Sequence, residues 1–138
     1  MTKLTLENSL DSGNAALGML DPTKIRRVEL EALVDTGATQ LAIPADVADA
    51  LGLRELTRSK ARLADGTIVE FPVVTGLLIE LCGRQMSCDA LVLPAGARAL
   101  IGQIPLEGLD LVVDPKSQEA RVNPASPDMP TLDLLRAS

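Results

Sequence analysis

Short apolar or alternating stretches, broken at close intervals by glycine, proline, aspartate and asparagine, run along almost the whole chain, and this rhythm limits the fold more than any other feature. A strand needs only a few residues with every second one apolar, whereas an amphipathic helix needs a longer run at a period of 3.6. The pattern is that of an all-β barrel or sandwich.

Leu4 to Leu10 reads as a first strand. After a loop through Gly13 and Asp21-Pro22, Arg26 to Val34 alternates, with Val28, Leu30 and Ala32 on one face, and runs straight into Asp35-Thr36-Gly37. Leu41 to Ile43 is a brief strand, and Pro44 opens a short helix through Leu51, with Asp46 in its first turn and Gly52 closing it. Lys60 to Leu63 and Thr67 to Val73 flank Asp65-Gly66, a dipeptide typical of a tight hairpin turn. Gly76 to Leu81 and Met86 to Leu93 make another hairpin, turning at Gly83-Arg84. Leu100-Ile101-Gly102 follows, then a short helix from Ile104 to Gly108, then Leu109 to Val113 and Ala120 to Val122 about a turn at Asp114-Pro115. From Asn123 onward Pro124, Pro127 and Pro130 cannot donate to a sheet, so the tail reads as extended or irregular up to the apolar group Leu132, Leu134 and Leu135. The organisation expected is one domain over residues 1–122 and a proline-containing tail over 123–138, lying over a dimer of the chain or hanging free.

Composition narrows the function. The 138 residues carry a formal charge of −6, and Arg26-Arg27 is the only adjacent basic pair, so a nucleic-acid partner is not expected. Aromatic residues make up 1% and Phe71 is the only ring, which removes base-stacking platforms and leaves the core to Leu, Val, Ile and Ala. There is no histidine, so zinc ligation and Ser-His or Cys-His chemistry lose their usual partner. Cys82 and Cys88 read as reduced, because a turn at Gly83-Arg84 sets Cys82 opposite Gln85 and Cys88 opposite Ile79. No apolar run approaches the roughly 20 residues that span a bilayer, and Met1 to Asn8 lacks the apolar centre of a signal peptide. The expectation is a cytoplasmic protein without a membrane partner.

Carboxylates therefore have to carry any chemistry, and Asp35 stands out. A strand ending in Asp-Thr-Gly buries its approach through Leu33-Val34, lets backbone pass close to the carboxylate at Gly37, and offers the Thr36 hydroxyl to lock the loop. The same tripeptide also makes ordinary turns. The surrounding segments decide between the two readings.

The chain resembles the retropepsin-like aspartic proteases, the single-domain relatives of pepsin that include retroviral proteases and compact bacterial homologues. Ala32 to Ala38 is similar to that family's active-site loop, with Asp35 at the catalytic position and Thr36, Gly37 and Ala38 completing the loop. Arg62 to Val69 sits where the family places its flap, so Leu63, Ala64, Asp65, Gly66, Thr67, Ile68 and Val69 are the expected substrate-covering residues. Ala99-Leu100-Ile101-Gly102-Gln103 resembles the paired-hydrophobic-then-glycine element that packs beside the catalytic loop, with Leu100, Ile101 and Gly102 as the loop-supporting residues. The resemblance implies an all-β closed barrel with one or two short helices, working as a two-fold symmetric homodimer on an extended peptide or unfolded protein, with no metal or other cofactor.

No second Asp-Thr-Gly is present: Asp65-Gly66-Thr67 has the wrong order, and Asp110 and Asp114 lack the following Thr-Gly. A site built from a pair of such loops then needs two copies of the chain. The function implied is an aspartic endopeptidase using water activated by an Asp35 dyad. The alternative is a weak or inactive dimerisation or peptide-binding module on the same fold.

Overall fold

A computed structural model describes residues 1–134 and contains nine strands and three short α-helices. Strand β1 (Thr2–Asn8) alternates strictly, with Leu4 and Leu6 fully buried and Lys3, Thr5 and Glu7 on the other face. It pairs antiparallel with β2 (Arg27–Val34) on one side and with β5 (Ile68–Leu81) on the other. That double pairing closes a barrel in the order β1-β2-β7-β3-β6-β5-β1, where β3 is Leu41–Pro44, β6 is Arg84–Leu93 and β7 is Leu100–Ile101. Strand β4 (Arg54–Arg62) stands outside the closed ring, hydrogen-bonded only to β5. Closure leaves the barrel strands without a free edge.

The barrel is filled by Leu4, Leu6, Leu41, Ile43, Leu51, Leu77, Ile79, Leu81, Ile101 and Leu109, each less than 2% exposed. Aliphatic side chains alone make this core, and burying each contributes about 1.5–3 kcal/mol. Helix α2 (Ala45–Leu51) covers one end with Ala48 and Leu51, and α3 (Gln103–Gly108) follows β7 directly. Among the described residues no helix is long and apolar enough to cross a membrane.

Four sequence expectations are corrected. The first strand stops at Asn8, and Ser9–Ala16 is helix α1, because the Asn8 side chain accepts the Asp11 N–H (3.0 Å) as an N-cap while donating to Leu51 O (2.8 Å). Asp11 in turn receives Arg26 Nε (2.8 Å) and Nη2 (3.1 Å), which ties the helix to the start of β2 and holds the carboxyl below its ordinary range. The runs Thr67 to Val73 and Gly76 to Leu81 are one strand, β5, bent by a register shift between Val74 and Leu77. The two-residue turn lies at Cys82-Gly83, both at positive φ (52° and 78°), so Leu81 faces Arg84 and Cys88 faces Leu77. Asp65-Gly66 is instead the end of a longer loop: Gly66 N–H donates to Leu63 O (2.9 Å) and Gly66 takes φ 87°, the geometry of a turn followed by a glycine bulge. Both cysteines are free, as expected.

Beyond α3, β8 (Leu111–Val113) and β9 (Ala120–Val122) form a separate antiparallel pair. The segment after it is held to the body as far as Thr131. Buried Arg84 donates to Leu109 O (3.0 Å), Asp110 O (2.9 Å) and Ser126 O. The Asp110 carboxylate accepts from Asn123 Nδ2 (2.9 Å) and Thr131 N–H (3.0 Å). Of the apolar group at the tail's end, Leu132 and Leu134 are exposed, and Leu135 lies outside the described residues.

This clasp makes a pH prediction. The bond from Asn123, then that from Thr131, lowers the Asp110 carboxyl to about 2. An unfolded aspartate titrates at about 3.9, so the unfolded chain takes up the proton first and the clasp's stabilisation is present above that value and lost as pH falls towards 2. In urea titrations, wild type should exceed Asp110→Asn by a constant margin above about pH 5, with the gap closing as pH approaches 2. A gap independent of pH would show that the carboxylate charge is not what holds the tail.

Candidate active site

The alternation of β2 delivers Ala32 to the core and packs Val34 against it, and the strand ends there, leaving Asp35 half-buried and Thr36 and Gly37 exposed. The loop is tightened from within. Gly37 N–H donates to Asp35 Oδ1 (2.9 Å), and Ala38 N–H donates to Asp35 O (3.1 Å). A Cβ at residue 37 would lie 3.2 Å from Asp35 Oδ1, so glycine lets the backbone amide come this close without crowding the carboxylate.

Strand β7 grips the loop from outside. It runs parallel to β2, with Leu33 opposite Leu100 and Val34 opposite Ile101, and antiparallel to β3 at Ala42. Leu33 N–H donates to Ala99 O (2.9 Å) and Asp35 N–H to Ile101 O (3.0 Å). The start of α3 then bonds the far side of the loop: Gln103 N–H to Ala38 O (2.9 Å), Ile104 N–H to Thr39 O (2.8 Å) and Gln103 Nε2 to Thr36 O (3.1 Å). Leu100, Ile101 and Gly102 are thus brought against the loop carrying Asp35, Thr36, Gly37 and Ala38. Ile101 is fully buried, so it supports the loop from the core and lines no open cleft.

Gln103 and Thr39 complete this bonding and were not among the expected site residues. Gln103 closes the segment that resembles the family's element, but a glutamine there carries no local sign of its long-range carbonyl partner, so its bond to Thr36 O was not foreseen.

The expected flap is the β4–β5 hairpin, with Arg62 opposite Ile68. Its tip closes on itself: Leu63 N–H donates to Thr67 O (2.7 Å), and Asp65 Oδ1 accepts Thr67 N–H (2.9 Å). Bonds from the Thr67 side chain and backbone hold the Asp65 carboxyl below its ordinary range. Ala64, Asp65 and Gly66 stand in solvent, and Leu63 is 42% exposed. The period of two splits the residues that follow. Val69 and Phe71 are half-buried on one face, while Ile68 (53% exposed) and Glu70 lie on the other with Arg58, which pairs Glu70 at 2.5 Å and Glu55 at 3.0 Å. No hydrogen bond among the described residues joins the hairpin tip to the Asp35 loop.

Among the described residues no group of three or more acidic or cysteine side chains is placed to hold a metal ion. A groove of about 420 Å³ opens beside the loop, bounded by Gln40 and Leu41, by Leu56 to Ser59 of β4, by Met86 to Asp89 of β6, and by Ile104 and Pro105. Asp35 itself does not line it.

No curated protein matches this chain. A family model described as gag-polyprotein putative aspartyl protease matches residues 22–118, a span that takes in the Asp35 loop, the β4–β5 hairpin and the Leu100-Ile101-Gly102 element together. With the closed barrel around them, the chain belongs to that family, the retropepsin-like aspartic proteases.

Proposed function

We propose that two copies of the chain meet across a two-fold axis, bring Asp35 beside Asp35, and hydrolyse peptide bonds with the shared pair. The observation that carries this reading is the Asp35 loop. One carboxylate oxygen is fixed by Gly37 N–H, the loop is bonded to β7 and α3 behind it, and its front at Thr36 and Gly37 is open. A rigid, outward-facing acid supplied once per chain is half of a site.

Two carboxylates a few ångströms apart cannot both ionise, so the pair holds one proton between them. The ionised oxygen takes a proton from water as the water attacks the scissile carbonyl, and the protonated partner donates to the carbonyl oxygen. Collapse of the tetrahedral intermediate expels the amine, which leaves with a proton from the dyad while a hydroxyl of the intermediate returns one to it, so the pair again holds a single proton. The apparent pKa values of this cycle belong to the pair. An extended substrate would lie across the axis under the two hairpins, adding strand-like backbone bonds. On this reading Thr36, Gly37 and Ala38 shape the loop, and Leu63 to Val69 form the cover.

Hydrolysis of an unfolded protein should appear between pH 3 and 7 and be suppressed by a statine-containing peptide, with a dimer in sedimentation at the assay concentration. A chain that stays monomeric at high micromolar concentration would remove the geometry altogether. A second reading, a weak or inactive peptide-binding module, is favoured by one feature: the N–H groups of Leu63, Gly66 and Thr67 are already bonded within the hairpin tip. Statine-peptide binding without any hydrolysis would select it.

A further inference from the structure

The groove beside the loop is apolar over much of its wall, through Leu56, Val73, Met86, Ile104 and Pro105, and it reaches Gln40, two residues past Ala38. The tail is led to its edge. Thr131 is pinned to Asp110, and the next residues, Leu132 and Asp133, line an adjoining depression whose walls include Met86 and Ile104, the same two residues that wall the groove. Leu132 is 60% and Leu134 96% exposed, although the residues that hold the tail are buried or hydrogen-bonded.

We propose that the groove is the docking site of this chain's own C-terminal segment, with Leu132 and Leu134 as the side chains that enter it. In an extended segment these two project to the same face and Asp133 to the opposite one, so both leucines can meet one apolar wall while the carboxylate stays in water. Leu134 lies three residue steps beyond the Thr131 anchor, about 10 Å of extended chain, which suits a groove that shares walls with the place where the tail already lies. A docked tail covers the surface next to Gln40 and competes with an extended peptide there; this last consequence rests on the proposed peptidase reading.

Cys88 lines the groove and Cys82 does not, and burial pushes the Cys88 thiol up to about 12, so the reaction is run at alkaline pH with Cys88 as reporter and exposed Cys82 as control. The full-length chain would be treated with a small alkylating reagent, the modification of each cysteine followed by peptide mass analysis, and the Cys88 rate divided by the Cys82 rate. The double variant Leu132→Ser/Leu134→Ser should raise that ratio about twofold, as expected for a tail that exchanges between the exposed position and the groove and is docked about half the time, and Leu132→Met/Leu134→Met should leave it near wild type. A ratio unchanged by the serine variant, or a rise at both cysteines together, would overturn the docking. In a parallel assay the serine variant should raise kcat/KM for an unfolded protein about twofold. If neither form hydrolyses anything, the peptidase reading fails while the Cys88 ratio still decides whether the tail docks.

Discussion

Replacing Gly102 by alanine is expected to destabilise the chain by about 3 kcal/mol or more, lowering the melting temperature by roughly 10 °C. The cause is space and not backbone conformation. Gly102 sits at φ −95° and ψ −167°, extended values that any residue adopts. A Cβ there would lie 2.5 Å from Gln40 O, 2.8 Å from Ala38 O and 2.8 Å from Gln40 N, all backbone atoms that cannot swing aside as a side chain would. Moving them disturbs the loop that Gln103 N–H and Ile104 N–H hold through Ala38 O and Thr39 O. The damage therefore falls on the mount of Asp35 as well as on stability. Gly13→Ala is the matching control: it lies within α1, a Cβ there meets nothing within 4 Å, and helix propensity should add about 0.5–1 kcal/mol. Thermal melts of the two variants should move in opposite directions. A Gly102→Ala loss below about 1 kcal/mol would mean that the close approach of β7 to the loop is not as tight as described.

The contrast between these glycines reflects what the sequence made legible. Strand β2 and its ending at Asp35 could be read because the alternation Val28, Leu30, Ala32 is local and the Asp-Thr-Gly follows without a break. The two-residue strand β7 has too little pattern to be read by periodicity, and its place beside the loop was visible only through resemblance to a family. Helix α1 was hidden because Leu10 continues the alternation of Leu4 and Leu6, although Asn8 followed three residues later by Asp11 is a capping signal that could have ended the strand there. Strand β5 was divided at Gly76 because glycine usually marks a break, whereas here it takes φ 84° within a bulge that bends the strand. The clasp of Arg84 and Asp110 on the tail had no readable trace. A guanidinium that bonds three carbonyls from remote loops leaves no spacing in the chain, and Arg84 read as a hairpin-turn residue until the turn proved to lie one residue earlier.

Asp35→Asn is expected to abolish peptide hydrolysis, by about a thousandfold or more, with little change in folding. The amide keeps the size of the carboxylate, and its oxygen can still accept the Gly37 N–H that now reaches Asp35 Oδ1 at 2.9 Å, so the loop should hold its shape. What the amide cannot do is take a proton from water or hold one for the carbonyl. Loss of activity alone would fit any catalytic acid; mixing the two chains is more telling. If each site draws one Asp35 from each of two copies, a pair with one asparagine is dead. Equal amounts of wild-type and variant chain, after subunit exchange, should then leave about one quarter of the activity of the same total amount of wild type, because only about one quarter of random pairs keep both acids. A site complete within one chain would leave about one half. Hydrolysis near one half, at a concentration where sedimentation shows exchange to be complete, would overturn the shared dyad, whereas a value near one quarter would place the chemistry on the two-fold axis between the copies.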